Sequence, residues 1–115
     1  MPENHTLLPS LAVLGGTGEQ GRGLALRWSA AGYQVTIGSR SLDRARAEVE
    51  KLNKLHARVN LAAADNKSAA TSSDIVVLTV PFKFQQSTVE DISLALVGKI
   101  LIDVTVPLVP PKVAR

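Results

Sequence analysis

Between a short apolar run and a segment of helical periodicity the chain reads LGGTGEQGRG, Leu14 to Gly23, with five glycines in ten residues. Backbone this bare can lie directly against an anion. Gly16-Thr17-Gly18-Glu19-Gln20-Gly21 has the G-x-G-x-x-G spacing, and it follows a predicted strand and opens a predicted helix, the context that gives the motif weight. In this reading Gly16 permits the tight turn, Gly18 lets the backbone approach a pyrophosphate, and Gly21 lets the helix pack close to the strand. The helix start, with Glu19 and Gln20 in the loop, adds unpaired N–H groups and a partial positive charge.

The residues at the end of the next strand say which dinucleotide fits. A site for NAD carries an acid about 20 residues past the loop to bond the ribose 2′-hydroxyl, and that acid would repel a 2′-phosphate. Here Ile37-Gly38-Ser39-Arg40 stands instead. Ser39 can donate a hydroxyl, Arg40 can lay its fork on a phosphate, and Arg44 adds a second cation one helical turn on. Thr17 reaches toward the same group from the loop. Cations in a first helical turn oppose the macrodipole, a cost that a bound anion would remove.

Blander readings stand beside this one: the glycines could make only a tight turn, and the two arginines could be solvated cations. A P-loop shares the spacing of Gly16 and Gly21 but fails at Arg22-Gly23, where Lys-Ser/Thr would be needed. An adenosylmethionine site stays open on a glycine-rich α/β turn, but the second strand offers no acidic end for its ribose.

These residues need a frame that brings loop ends together. Ser10–Leu14 reads as a strand and Gly18–Ala31 as a helix with Leu24, Ala25 and Trp28 at helical spacing, stopped by Gly32. Gln34–Ser39 alternates as a second strand. Ser41 can cap a helix whose apolar positions Leu42, Ala45, Val49, Leu52 and Leu55 recur every three or four residues, with Glu50 and Lys54 paired on its outer face. Val59–Ala64 reads as a third strand, Asn66–Ser73 as a short polar helix or loop, and Asp74–Val80 as a strand covered on both faces. A helix entered through Pro81 carries Val89, Ile92 and Leu96 inward until Gly98, and Lys99–Val104 is a fifth strand. Such alternation predicts an α/β fold, a Rossmann-type doubly wound parallel sheet of order 3-2-1-4-5 with right-handed crossovers.

Composition narrows the function. The 115 residues fit one domain, with 45% hydrophobic and 20% charged residues, a balance that supports a core. The net charge of +3 is spread without a dense basic run and aromatics are 3%, so nucleic acid is not an expected partner. There is no cysteine, which excludes disulfides, thiolate nucleophiles and zinc-thiolate sites; no metal site is expected. The start MPENHTLLP has no secretion signal and no apolar run approaches the ~20 residues of a membrane span, so a cytoplasmic location without membrane contact is expected. Asn4-His5-Thr6 then matches a glycosylation acceptor by chance.

LGGTGEQGRGLAL, VTIGSRSLDRA and DIVVLTVPF together resemble the NADPH-dependent coenzyme F420 reductases, over roughly Leu11 to Leu108. The resemblance implies NADP(H) as cofactor and coenzyme F420, a deazaflavin, as co-substrate, with hydride passing directly between the rings. It implies Thr17, Ser39, Arg40 and Arg44 at the 2′-phosphate, Gly16 and Gly18 at the pyrophosphate, and Thr79, Val80 and Pro81 near the ribose and nicotinamide. Arg44 stands where a lysine is common in the family, which keeps the charge.

The resemblance also implies an N-terminal tail at 1–9, an NADP-binding domain at 10–106 and, at 107–115, the start of a linker to a second domain outside this sequence. On that expectation the chain by itself binds cofactor without completing a catalytic site, and a homodimer is compatible with it. No catalytic residue is assigned. His5 lies in the tail and His56 reads as solvated; Tyr33 is followed by Ile37 where a short-chain dehydrogenase would place lysine. Asp103, ending the last strand, can orient bound groups or cap the next segment. Two alternatives remain: a reductase acting on another acceptor, such as a metal chelate or an imine, and a module that senses NADPH without catalysis.

Overall fold

The computed structural model describes residues 8–104. Its elements run β1 (Leu11–Leu14), α1 (Glu19–Ala30), β2 (Val35–Ser39), α2 (Leu42–Leu55), β3 (Leu61–Asp65), α3 (Asn66–Thr71), β4 (Ile75–Leu78), α4 (Phe82–Asp91), a 3-10 turn (Ser93–Leu96) and β5 (Ile100–Asp103). The five strands form one parallel sheet in the order β3-β2-β1-β4-β5, as the alternation predicts.

Period-two alternation in β1 divides the core. Leu11 and Val13 join one cluster with Ala25 of α1 and Ala45, Val49 and Leu52 of α2; Ala12 and Leu14 join another with Ala69 and Ala70 of α3, Leu78 and Ile92. Each face of the sheet therefore has its own helices, and the central strands must be apolar on both sides. Full burial of a side chain such as Leu52 contributes about 1.5–3 kcal/mol.

Ser41 caps α2 as expected, its Oγ accepting from Arg44 N at 3.2 Å. Leu55, grouped with the inward positions by spacing, is 67% exposed at the helix end. Glu50 and Lys54 are both exposed, and among the described residues α2 pairs instead through Glu48 with Arg22 of α1, at 3.1 Å. β3 starts at Leu61 rather than Val59 because side chains hold the approach: Asn60 N donates to Ser29 Oγ at 3.0 Å and Leu61 N to Asn53 Oδ1 at 2.8 Å. The segment after it is a helix. α4 ends at Asp91, short of the expected Gly98, since Ile92 turns into the core and the chain tightens into the 3-10 turn through Ala95 N to Ile92 O at 2.8 Å. β5 is at the sheet edge, with Ile100, Leu101 and Ile102 at 61%, 40% and 43% exposure. The expected tail residues 1–7, including His5, and the expected linker at 107–115 lie outside the described residues.

Asp65 caps α3: Oδ1 accepts from Ser68 N at 2.8 Å and Oδ2 from Ser68 Oγ at 3.2 Å. The backbone hydrogen bond from Ser68 holds its carboxyl pKa below the ordinary value. A lowered folded-state pKa gives stability that is complete above the ordinary carboxylate value of about 3.9 and is lost as pH falls through the folded-state value. Asp65→Ala should therefore cost about 1 kcal/mol at neutral pH, as lost helix caps do. The gap to the parent chain should close in acid, and urea unfolding at several pH values measures it.

Candidate functional site

The parallel register brings the carboxyl ends of β1, β2 and β4 level, with Leu14 beside Gly38 on one side and Leu78 on the other. Ligands bind outside this edge in open α/β sheets. A cleft of about 900 Å³ opens there, lined from the β1 loop, the end of β2, the start of α3 and the start of α4. Thr17, Gly18, Glu19, Gln20, Ser39, Arg40, Arg44, Thr79, Val80 and Pro81 all border it. Of the residues singled out by sequence, Gly16 and Gly21 do not line it; they sit behind the loop as packing positions.

The loop divides its tasks differently from the motif reading. The turn needing positive φ is made by Gly15, at +82°, one residue before Gly16. Gly16 is glycine because β2 is so close: a Cβ there would lie 2.7 Å from Ile37 Cγ2 and 3.0 Å from Val13 O. At Gly21 a Cβ would meet Thr79 Oγ1 at 2.6 Å and Gly15 O at 2.8 Å. Thr79 is itself fixed, with both its N and Oγ1 donating to Leu14 O, at 2.9 and 2.7 Å. β1, β4 and α1 are thereby clamped at one point beneath the cleft.

Gly18 is the N-cap of α1, in extended conformation and without a side-chain cap. The first helical bond is Arg22 N to Gly18 O at 2.9 Å, so the amides of Glu19, Gln20 and Gly21 precede any intrahelical acceptor. A Cβ on Gly18 would meet only Gly15 O, at 3.4 Å, so packing does not require glycine there. Arg22, at the position where a P-loop would need lysine, pairs with Glu48 and donates from Nη2 to Thr17 O at 3.5 Å, and it does not line the cleft.

At the β2 end Ser39 is buried and its Oγ accepts from Ser41 N at 3.2 Å, which leaves its hydroxyl proton free to donate. Arg40 and Arg44 are exposed at the cleft. Asn66 adds a buried Oδ1 with no hydrogen-bond partner among the described residues. Sequence reasoning missed Gly15, Ser41, Asn66, Phe82, Phe84 and Thr88 as cleft residues. Asn66 was within reach of it, standing just past a predicted strand, and Phe82 closes the DIVVLTVPF segment; Phe84 had no motif to mark it.

The other candidates lie elsewhere. His56 is exposed at the C-cap of α2. Asp103 accepts from the Gln85 side-chain amide and does not line the cleft. Among the described residues no three His, Cys, Asp or Glu side chains gather as a metal site, and no helix is long and apolar enough to cross a membrane.

Residues 10–107 match the family described as NADP oxidoreductase, coenzyme F420-dependent. The chain belongs to that family. It is 43% identical over 104 residues to the F420-dependent NADP reductase of Methanothermobacter thermautotrophicus, covering 89% of this chain and 45% of the relative. The enzyme of the same name from Methanothermobacter marburgensis is 44% identical over 100 residues, with 85% and 45% covered. A crystal structure from Arthrobacter sp. FB24, assigned as an F420-dependent NADP reductase, superposes with a TM-score of 0.74 at 27% identity, covering 87% of this chain and 46% of that one. The chain thus spans about half the length of the relatives it matches.

Proposed function

We propose that this family member binds NADP(H) in the cleft at the carboxyl edge of the sheet and forms the nucleotide wall of a site for hydride transfer between NADPH and the deazaflavin coenzyme F420. The observation that carries the reading is the pairing, in one cleft, of an uncapped α1 N-terminus with Ser39, Arg40 and Arg44 where an NAD site has an acid. The free amides at Glu19 and Gln20 and the open space over Gly18 suit a pyrophosphate, and the two guanidiniums suit the 2′-phosphate. Glu19 would contribute its amide, since its carboxylate repels phosphate. The names of the relatives supply the deazaflavin.

The bound nicotinamide supplies the hydride chemistry, and the chain's own residues supply placement. Thr79, Val80 and Pro81 border the cleft, and Thr79 is tied to Leu14 O through both its N and Oγ1, so the part of the ligand that rests on them rests on held backbone. The acceptor's wall comes from a second domain or a second chain. Hydride transfer needs the two rings about 3–3.5 Å apart in fixed orientation, which a single open cleft does not enforce.

Calorimetric titration of the chain with NADPH and with NADH is the direct test. NADPH should bind more tightly, and raise the melting temperature more at equal concentration, because only a ligand of the folded state stabilises it. Equal affinity for the two would defeat the 2′-phosphate assignment. Hydride transfer is tested separately, by NADPH oxidation with a deazaflavin.

A further inference from the structure

On the face of the sheet covered by α1 and α2, a shallow groove of about 590 Å³ lies between the second half of α1 and the end of α2. Apolar Leu26, Ala30 and Leu55 line it together with basic Arg27, His56 and Arg58. Among the described residues no acidic side chain lines the groove, and neither arginine has an ion-pair partner. A chemically opposite surface stands on the other face. The 3-10 turn after α4 packs Ala95 and Leu96 against the second core cluster and leaves Leu94 and Val97 83% and 75% exposed. Glu90 and Asp91, at the end of α4, are exposed beside it. Gly98, at φ +78°, then turns the chain into β5, with nothing within 4 Å of where a side chain would stand, so the turn is clear of neighbours.

We propose that the Leu94–Val97 turn of one copy of this chain docks in the α1–α2 groove of a second copy, with Glu90 and Asp91 set against Arg27 and Arg58. Charge decides both the occupant and the symmetry. A two-fold contact of the turn with itself would bring Glu90 and Asp91 against their own copies, and a two-fold contact of the groove would oppose two sets of arginines; like charges face to face disfavour both. The head-to-tail contact pairs unlike charges and takes Leu94 and Val97 out of water against Leu26 and Leu55. Because the two surfaces lie on opposite faces of the sheet, a chain cannot fill its own groove. Each docking leaves one turn and one groove free at the ends, so further copies add in a row unless the rotation closes a ring. None of these residues lines the nucleotide cleft, so the contact and the dinucleotide site are independent.

Sedimentation velocity of the parent chain and two double variants tests this, after thermal melts establish that each is folded. One variant carries Leu94→Asp and Val97→Asp in the turn, the other Arg27→Glu and Arg58→Glu at the groove, each change on an exposed side chain. The parent chain should associate with a Kd between about 1 µM and 1 mM, more weakly as salt is raised. Either variant alone should associate at least about tenfold more weakly. An equimolar mixture of the two should recover the parent affinity but stop at a pair, since the turn variant keeps its groove, the groove variant keeps its turn, and the remaining surfaces are both disabled. A parent chain still monomeric at about 1 mM would overturn the proposal and leave the groove to an acidic partner other than this chain. Association undiminished in either variant would overturn it too, as would a mixture that fails to recover, since a two-fold contact cannot be restored by combining the two defects.

Discussion

Gly21→Ala should lower the melting temperature by on the order of 10–20 °C, whereas Gly18→Ala, in the same motif, should leave it within about 3 °C. At Gly21 the new methyl would meet Thr79 Oγ1 at 2.6 Å, Gly15 O at 2.8 Å and Gly16 Cα at 2.8 Å. Two of these are backbone atoms and the third is tied to Leu14 O at 2.7 Å, so none can give way cheaply. Overpacking of this kind costs about 1–3 kcal/mol, and disturbing the Thr79 hydrogen bond adds about 1. Gly18 has φ −82° and ψ 167°, ordinary for any residue, and its nearest non-local atom is 3.4 Å away. Its methyl would instead occupy the space through which a pyrophosphate approaches the amides. NADPH affinity should fall about tenfold or more, equivalent to one lost charge-assisted contact of about 1.5–3 kcal/mol. Circular-dichroism melts and calorimetric titration of the two variants separate the effects. Equal melting temperatures, or undiminished NADPH binding by Gly18→Ala, would remove the division of roles.

What the sequence revealed and what it hid follow from where each signal resides. Periodicity reports on contacts within one element, and the alternation of β1 and the 3.6-residue spacing of Ala45, Val49 and Leu52 carried through to the two-faced core. The G-x-G-x-x-G spacing located the loop but misplaced the turn by one residue. Positive φ at Gly15 and tight packing at Gly16 look the same in a run of glycines and differ only once β2 lies alongside. The ion pair of Arg22 with Glu48 joins two helices, and no local pattern announces it. Phe84 meets Arg40 only because β4 lies next to β1, which alone separates it from β2, so that the start of α4 and the end of β2 share one edge of the sheet. The edge position of β5 was likewise implied by the strand order, while its run of Ile100, Leu101 and Ile102 reads as a buried strand.

Arg40→Ala should weaken NADPH by about 10- to 100-fold and NADH by no more than a few-fold, collapsing the preference between them. Arg40 is exposed and its contact with Phe84 is of the cation–π kind worth about 0.5–1 kcal/mol at exposed sites, so the fold should be little affected. NADPH and NADH share adenine, pyrophosphate and nicotinamide, and differ for this purpose only in the 2′-phosphate. Any loss common to both therefore measures contacts with the parts they share or support of the fold, and the excess loss for NADPH measures the charge-assisted contact. Arg44→Ala should act in the same direction but more mildly, because Arg44 is a full helical turn farther along; its backbone N–H, which holds the Ser41 cap, is untouched by the change. Since both guanidiniums would address one phosphate, the double variant should lose less than the product of the single losses. Raising the salt from about 0.1 M to 1 M shortens the screening length from about 10 Å to 3 Å. The NADPH preference of the parent chain should shrink with it, and the small preference left in Arg40→Ala should change less. Parallel titrations at both salt concentrations measure this. Equal losses for the two cofactors would place Arg40 at the pyrophosphate or in support of the fold, because a residue that reads the 2′-phosphate cannot affect a ligand that lacks it to the same degree.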